Sequence, residues 1–123
     1  MAWVLIIEDD LDMREWLAEV LAAAGHQVLT ANNGEDGLCL LQDKAPYLDL
    51  IVTDILMPEK NGFQVLWELH SMKRGPKVIA ISGAPAQWMV LETAEDLGAR
   101  MTLSKPFTPN DMVQAVASVL ASD

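Results

Sequence analysis

A chain of 123 residues fits one folded unit and is long enough to bury a real core. Its 51% hydrophobic and 21% charged composition excludes a disordered polyelectrolyte, and no apolar stretch reaches membrane-spanning length. A formal net charge of −10 argues against direct binding to DNA, RNA or an anionic membrane. The N-terminus lacks the basic-then-apolar pattern of a secretion signal. Cys39 is the single cysteine, so no internal disulfide forms. That suits a reducing cytoplasm, with Cys39 expected as a small buried apolar group.

Strand-like and helix-like stretches alternate from end to end. The first apolar run, Trp3 to Ile7, stops at Glu8-Asp9-Asp10. Met13, Leu17, Leu21 and Ala24 then recur at helical steps, with Asp10 or Asp12 as cap and Gly25 just past the end. Gln27 to Ala31 reads as a second strand of mixed polarity. Asn32-Asn33-Gly34 opens a second helix with Leu38 and Leu41 on one face. The third strand, Leu48 to Thr53, is nearly continuous in apolar residues and leads into Asp54. A third helix starts at Asn61-Gly62, carries Phe63, Leu66 and Leu69, and ends near Gly75-Pro76. Lys77 to Ile81 forms the fourth strand, a helix from about Pro85 to Leu97 follows, and Gly98 stops it. Arg100 to Ser104 is the fifth strand. The last helix has the fullest signature: Thr108 as cap, Pro109 at the first helical position, Asp111 completing a capping-box turn, and an apolar stripe of Met112, Val113, Val116, Val119 and Leu120.

Strict repetition of strand and helix with short links implies parallel strands, right-handed crossovers and helices on both faces of one sheet. The continuously apolar strands 1, 3 and 4 belong in the centre, and the mixed strands 2 and 5 at the edges. The order 2-1-3-4-5 meets both conditions. It puts the topological switch, where open α/β sheets place their ligand sites, between strands 1 and 3. One doubly wound α/β domain of five strands then fills residues 1–123.

The strand ends deliver a particular set of groups to one rim: Glu8 and Asp9 after strand 1, Asp54 after strand 3, Ser82 after strand 4 and Lys105 after strand 5. Three neighbouring carboxylates repel one another, and a hard, oxygen-seeking divalent ion relieves that repulsion. Mg²⁺ matches best, because it accepts a few carboxylates, keeps waters and takes a phosphate oxygen. No run resembles a calcium-binding loop. A carboxylate beside Mg²⁺ and a lysine can attack phosphorus and form an acyl phosphate, with Ser82 donating to a further oxygen.

The strings "VLIIEDD", "VTDILMPEKNG", "AISGA" and "LSKPF", in this order and spacing, resemble the receiver domain of two-component response regulators over essentially the whole chain. The resemblance implies a flavodoxin-like (βα)5 receiver domain in which Asp54 accepts a phosphoryl group from a phosphohistidine. It implies that Glu8 and Asp9 bind Mg²⁺ with Asp54 and the backbone carbonyl of Leu56. Ser82 fills the hydroxyl position, and Lys105 the lysine position, followed by Pro106 through a peptide bond that is cis in the family. Asp10 takes the variable position after the acid pair and is not a ligand. The implied partners are a sensor histidine kinase or a histidine phosphotransfer protein, in the cytoplasm, and the implied activity is at most self-phosphorylation and slow autodephosphorylation. The output surface is helix 4, strand 5 and helix 5, a candidate for self-association. One position departs from the family: Thr102 stands where an aromatic switch residue is common, so that part of the switch is not implied. A β-branched side chain there still lets Ser82 and the following loop shift.

Each feature alone has a plainer reading. Asp9-Asp10 can cap a helix, Ser82 can cap the next one, and Lys105-Pro106 can be a solvated turn. Trp16, Trp67 and Trp88 default to core or boundary packing, with Trp88 the best candidate for a partner contact and Trp16 for the face on which a phosphodonor docks. His26 and His70 read as surface residues. Joint placement on one rim favours the functional reading. A degenerate receiver that serves only as a protein-docking module is the alternative, supported by Thr102. A phosphoester hydrolase is disfavoured by Leu56, where such enzymes carry a second acid, and flavin binding by three acids where a phosphate cradle belongs. No effector segment follows Asp123, so output is expected through protein contact, phosphate relay or a domain outside this chain.

Overall fold

All five strands run in one direction, so their C-terminal ends gather along a single edge of the sheet. The computed structural model describes residues 2–44, 47–55, 62–70, 75–83, 92, 94–96 and 98–122. The strands are β1 (Trp3–Ile7), β2 (Gln27–Ala31), β3 (Leu50–Asp54), β4 (Lys77–Ser82) and β5 (Met101–Ser104), in the order β2-β1-β3-β4-β5. The helices are α1 (Leu11–Ala23), α2 (Gly34–Lys44), α3 (Gly62–His70), α4 (helical at 92 and 94–96) and α5 (Pro109–Ala121). The doubly wound architecture and strand order expected from the apolar runs are those observed.

Burial explains the order. Every residue of β3 is buried, as are all but the first of β1 and β4, whereas β2 and β5 are largely half-exposed. The two-residue period sends alternate side chains to opposite faces. Val4, Ile6, Leu50, Val52, Ile79 and Ile81 meet Leu17 and Leu21 of α1 and Met112, Val116 and Val119 of α5. Leu5, Ile7, Ile51, Val78 and Ala80 meet Leu38 and Leu41 of α2, Val65, Leu66 and Leu69 of α3, and Ala94 of α4. Each fully buried Leu or Ile contributes about 1.5–3 kcal/mol of transfer free energy.

The helix ends are set locally. Asp10 caps α1, its side chain accepting from the N–H groups of Asp12 and Met13. At the other end Gly25 takes φ +95°, and the N–H groups of Gly25 and His26 bond back to Ala22 and Leu21. Such a left-handed turn favours glycine. Asn33 accepts from the Asp36 N–H to start α2. Thr108 and Asp111 form the capping box anticipated for α5. Lys77 at the start of β4 donates to the carbonyls of Val119 and Ser122, giving the C-terminal end of α5 a cation its own last turn lacks.

Four expectations are corrected. Cys39 is exposed, because Leu38 and Leu41 take the inward face of α2. Trp67 is 68% exposed, one position off the inward pair Leu66 and Leu69 of α3. His26 is half-buried, and its Nδ1 accepts from the Ala2 N–H at 3.2 Å. Strand bounds also shift: β3 begins two residues later than expected and includes Asp54, β4 runs on to Ser82, and β5 begins one residue later at Met101. Trp88, the side chain of His70 and most of the fourth predicted helix lie outside the described residues.

Candidate functional site

Each acidic and basic group at the rim is put there by the end of a strand. Glu8 follows β1 directly, its N–H bonded to the Ala31 carbonyl at 3.1 Å, which continues the β1–β2 ladder by one step. Asp54 is the last residue of β3 and pairs in register with Ile81. Ser82 closes β4 opposite Ser104 of β5, and the Lys105 N–H donates to the Ser82 carbonyl at 2.9 Å. Because the strands are parallel and adjacent, residues 8, 54, 82 and 105 share one edge despite their separation in sequence.

Lys105 ties the site together. Its Nζ lies 2.6 Å from Glu8 Oε1 and 2.8 Å from Asp54 Oδ2, forming an ion pair with each. Glu8 and Ser82 are fully buried and Asp54 is 6% exposed, whereas Asp9 faces solvent. Oxygens of Glu8, Asp9 and Asp54 lie within 4.8 Å of one another. The peptide bond between Lys105 and Pro106 is cis. Gly83 lies against the lysine stem: a Cβ there would come 3.0 Å from Lys105 Cβ and 3.2 Å from Cδ. Arg14 of α1 donates to the Glu8 carbonyl at 2.9 Å, holding the other side of the acid turn.

The electrostatics follow from burial. Desolvation pushes the Glu8 carboxyl up to about 8, with Asp54 adding to the rise and Lys105 opposing it. One ammonium shared between two carboxylates does not offset the loss of water around Glu8. For Lys105, burial alone would lower the ammonium's pKa. The hydrogen bonds and charges of Asp54 and Glu8 outweigh that and hold it above its ordinary value.

The donor set fits a hard divalent cation. Glu8 Oε2 is buried without a hydrogen-bond partner, which is costly unless a positive group completes it. Asp9 and Asp54 place further oxygens beside it, and the acidic cluster could bind Mg²⁺. Leu56, expected to add its carbonyl, lies outside the described residues. Asp10 is occupied as the α1 cap. Thr102, at the expected switch position, is half-buried on β5, and its Oγ1 donates to Glu95 of α4 at 3.4 Å. Two residues that shape the site are not singled out by sequence pattern: Arg14, and Gly83, whose only signal is a glycine directly after Ser82.

A parallel sheet with acids, a hydroxyl and a lysine converging on its carboxyl edge defines the receiver class. The family model for the response regulator receiver domain matches residues 4–117, and the chain belongs to that family. It is 33% identical over 117 residues to the chemotaxis protein CheY of Thermotoga maritima, covering 94% of this chain and 95% of that one. A response regulator receiver domain protein from Clostridium thermocellum superposes with a TM-score of 0.91 at 27% identity, covering 98% of this chain and 94% of that one. The transcriptional regulatory protein CpxR of Klebsiella pneumoniae is 33% identical over 117 residues, covering 95% of this chain; the chain spans about half the length (48%) of that relative. Receiver domains of two-component systems serve as signalling modules, with phosphorylation-based switching as their general role. No helix among the described residues is long and apolar enough to cross a membrane.

Proposed function

We propose that residues 1–123 form one receiver unit in which Asp54 is the phosphoacceptor of a two-component relay. The observation that carries the reading is the position of Lys105 Nζ, 2.8 Å from Asp54 Oδ2 and 2.6 Å from Glu8 Oε1 at the carboxyl edge of the sheet. In the transfer, an Asp54 carboxylate oxygen bonds to phosphorus as the P–N bond to the donor imidazole breaks. The electron pair leaves on that nitrogen, which takes up a proton. Lys105 shifts from the carboxylates to a phosphoryl oxygen, and the buried Ser82 hydroxyl donates to another. Glu8, Asp9, Asp54 and the Leu56 carbonyl would hold Mg²⁺, which when bound offsets the negative charge of the phosphoryl oxygens. The donor is a sensor histidine kinase or a histidine phosphotransfer protein, met in the cytoplasm.

The added phosphoryl group brings nearly two negative charges to the rim and biases a two-state equilibrium of the adjoining loops. Ser82 precedes α4 in the chain and Lys105 precedes α5, which supports α4, β5 and α5 as the changed surface. A groove there, lined by Met101, Leu103, Asp111, Gln114, Ala115 and Ser118, supports self-association or partner contact on that face.

Incubation with acetyl phosphate and Mg²⁺ followed by intact-mass measurement tests the reading. One phosphoryl adduct is expected, absent in Asp54→Ala. Mg²⁺ binding with no adduct would defeat phosphotransfer and favour a docking module, the reading that Thr102 supports.

A further inference from the structure

Phosphotransfer at Asp54 requires the Lys105 side chain to change partners. In the structure Lys105 Nζ is held by Glu8 and Asp54 together. To meet a phosphoryl oxygen carried on Asp54, the ammonium has to give up at least one of those carboxylates. The ion pairs cannot then fix the segment that presents it. Among the described residues, the holds that remain include the Lys105 N–H bond to the Ser82 carbonyl on one side and, on the other, a contact made two residues later. Phe107 packs against Trp16 of α1, with ring centroids 5.8 Å apart and planes tilted by 43°. Tilted aromatic pairs at this spacing are attractive and set a preferred geometry.

Trp16 is suited to act as a fixed support. It adjoins Leu17, which is fully buried, and α1 is anchored at its start by the Asp10 cap. The same helix follows directly on Glu8 and Asp9. The ring pair therefore links the helix that follows Glu8 and Asp9 to the loop that carries the lysine, through carbon rather than charge. Phe107 is in turn followed by Thr108, whose capping box fixes the start of α5. The plainer reading of Trp16 is boundary packing against the α1–α5 side of the core, where it also lies. That reading gives Trp16 no particular effect on Lys105.

We infer that Trp16 is a positioning residue for Lys105, acting through Phe107 to hold residues 105–107 against α1 when the lysine leaves the carboxylates. The inference rests on the reading of Asp54 as phosphoacceptor. It concerns the rate with any phosphodonor and requires no protein docking on Trp16.

The test uses the full chain, acetyl phosphate as donor and two readouts. Trp16→Ala is expected to slow adduct formation about tenfold, the scale of a modest misplacement of a reacting group. Trp16→Phe should come back to within about twofold of wild type, because a ring remains to meet Phe107. In a Lys105→Ala background, Trp16→Ala should cause no further slowing; a second loss of similar size there would overturn the inference, since a general structural defect multiplies instead of vanishing. The second readout is amide exchange with beryllofluoride and Mg²⁺ bound, where the lysine is drawn off the carboxylates. The Lys105 N–H should exchange faster in Trp16→Ala while the Glu8 N–H, bonded to Ala31, does not; equal acceleration of both would also overturn it. Trp16→Leu, which retains bulk without a ring, serves if the alanine variant does not fold and should behave like it. Adduct formation in wild type with unchanged rates in the Trp16 variants defeats this inference alone. No adduct in wild type defeats the phosphoacceptor reading as well.

Discussion

Glu8 and Lys105 are 97 positions apart in the chain, yet Glu8 Oε1 and Lys105 Nζ meet at 2.6 Å, inside a site where Glu8 is fully buried. The contact reaches across the sheet, from the end of β1 past β3 and β4 to the end of β5. A divalent cation bound there would compete with the lysine for the same carboxylates. Glu8 Oε1 is engaged, while Oε2 is left without a partner.

Replacing Lys105 therefore has two opposite effects. Lys105→Ala removes a positive charge that a cation has to displace, so Mg²⁺ affinity should rise, as read by isothermal titration. Adduct formation at Asp54 should fall on the order of a hundredfold, the usual cost of losing one group that stabilises transferring oxygens. A variant that binds Mg²⁺ more weakly than wild type would contradict the competition.

Glu8 gives the metal-free protein a defined pH dependence. Its carboxyl stands at about 8 in the folded state, against an ordinary value of 4.5. Between those limits the folded chain holds a proton that the unfolded chain has released. The stability from this group is fully present below about 4.5 and is lost as pH rises through about 8. Thermal melts without metal should decline over that window, and the rise in Tm on adding Mg²⁺ should be larger at the alkaline end, where the ionised form is the ligand. Glu8→Gln should flatten the decline and weaken Mg²⁺ binding. A Mg²⁺-induced rise in Tm that is independent of pH would contradict this assignment.

Gly83 leaves room for the lysine stem. An added Cβ would sit 3.0 Å from Lys105 Cβ, so Gly83→Ala requires the loop to shift by a few tenths of an ångström. The expected outcome is adduct formation slowed about tenfold with little change in Tm, since small displacements at a reacting centre cost more than they do in packing. Rates equal to wild type would show that the stem has slack.

Asp10 separates capping from metal binding. Its side chain accepts from the N–H groups of Asp12 and Met13, so Asp10→Ala should cost about 1 kcal/mol of stability in chemical denaturation. Mg²⁺ affinity should stay within about twofold, because the carboxylate is already engaged by α1 and the loss of one exposed charge is screened. A large loss of Mg²⁺ binding would make Asp10 a ligand after all.

Much of the architecture is legible in the sequence because parallel strands buried on both faces leave continuous apolar runs, and strands 1, 3 and 4 carry them. Three rim groups are legible for the same reason: Glu8, Asp54 and Ser82 each stand where such a run stops, and Lys105 stands where the mixed strand 5 ends. The α5 cap can be read residue by residue, since Thr108, Pro109 and Asp111 act over a single turn. Helix faces are read less well. Cys39 and Trp67 follow residue type in the sequence reading, although each lies one position off an inward leucine, and the helical period outweighs their hydrophobicity. The His26 contact with Ala2 and the approach of Gly83 to Lys105 depend on register between strands, which no local pattern encodes.

The most direct test of the phosphoacceptor site is a two-dimensional amide NMR titration with beryllofluoride and Mg²⁺, which together mimic a phosphoryl group on a carboxylate. The largest shifts should fall on Glu8, Asp9, Asp54, Ser82, Gly83 and Lys105, at the carboxyl edge of the sheet. Shifts centred on Trp3, Gln27 and Lys77 at the opposite edge, or no shifts at all, would contradict it.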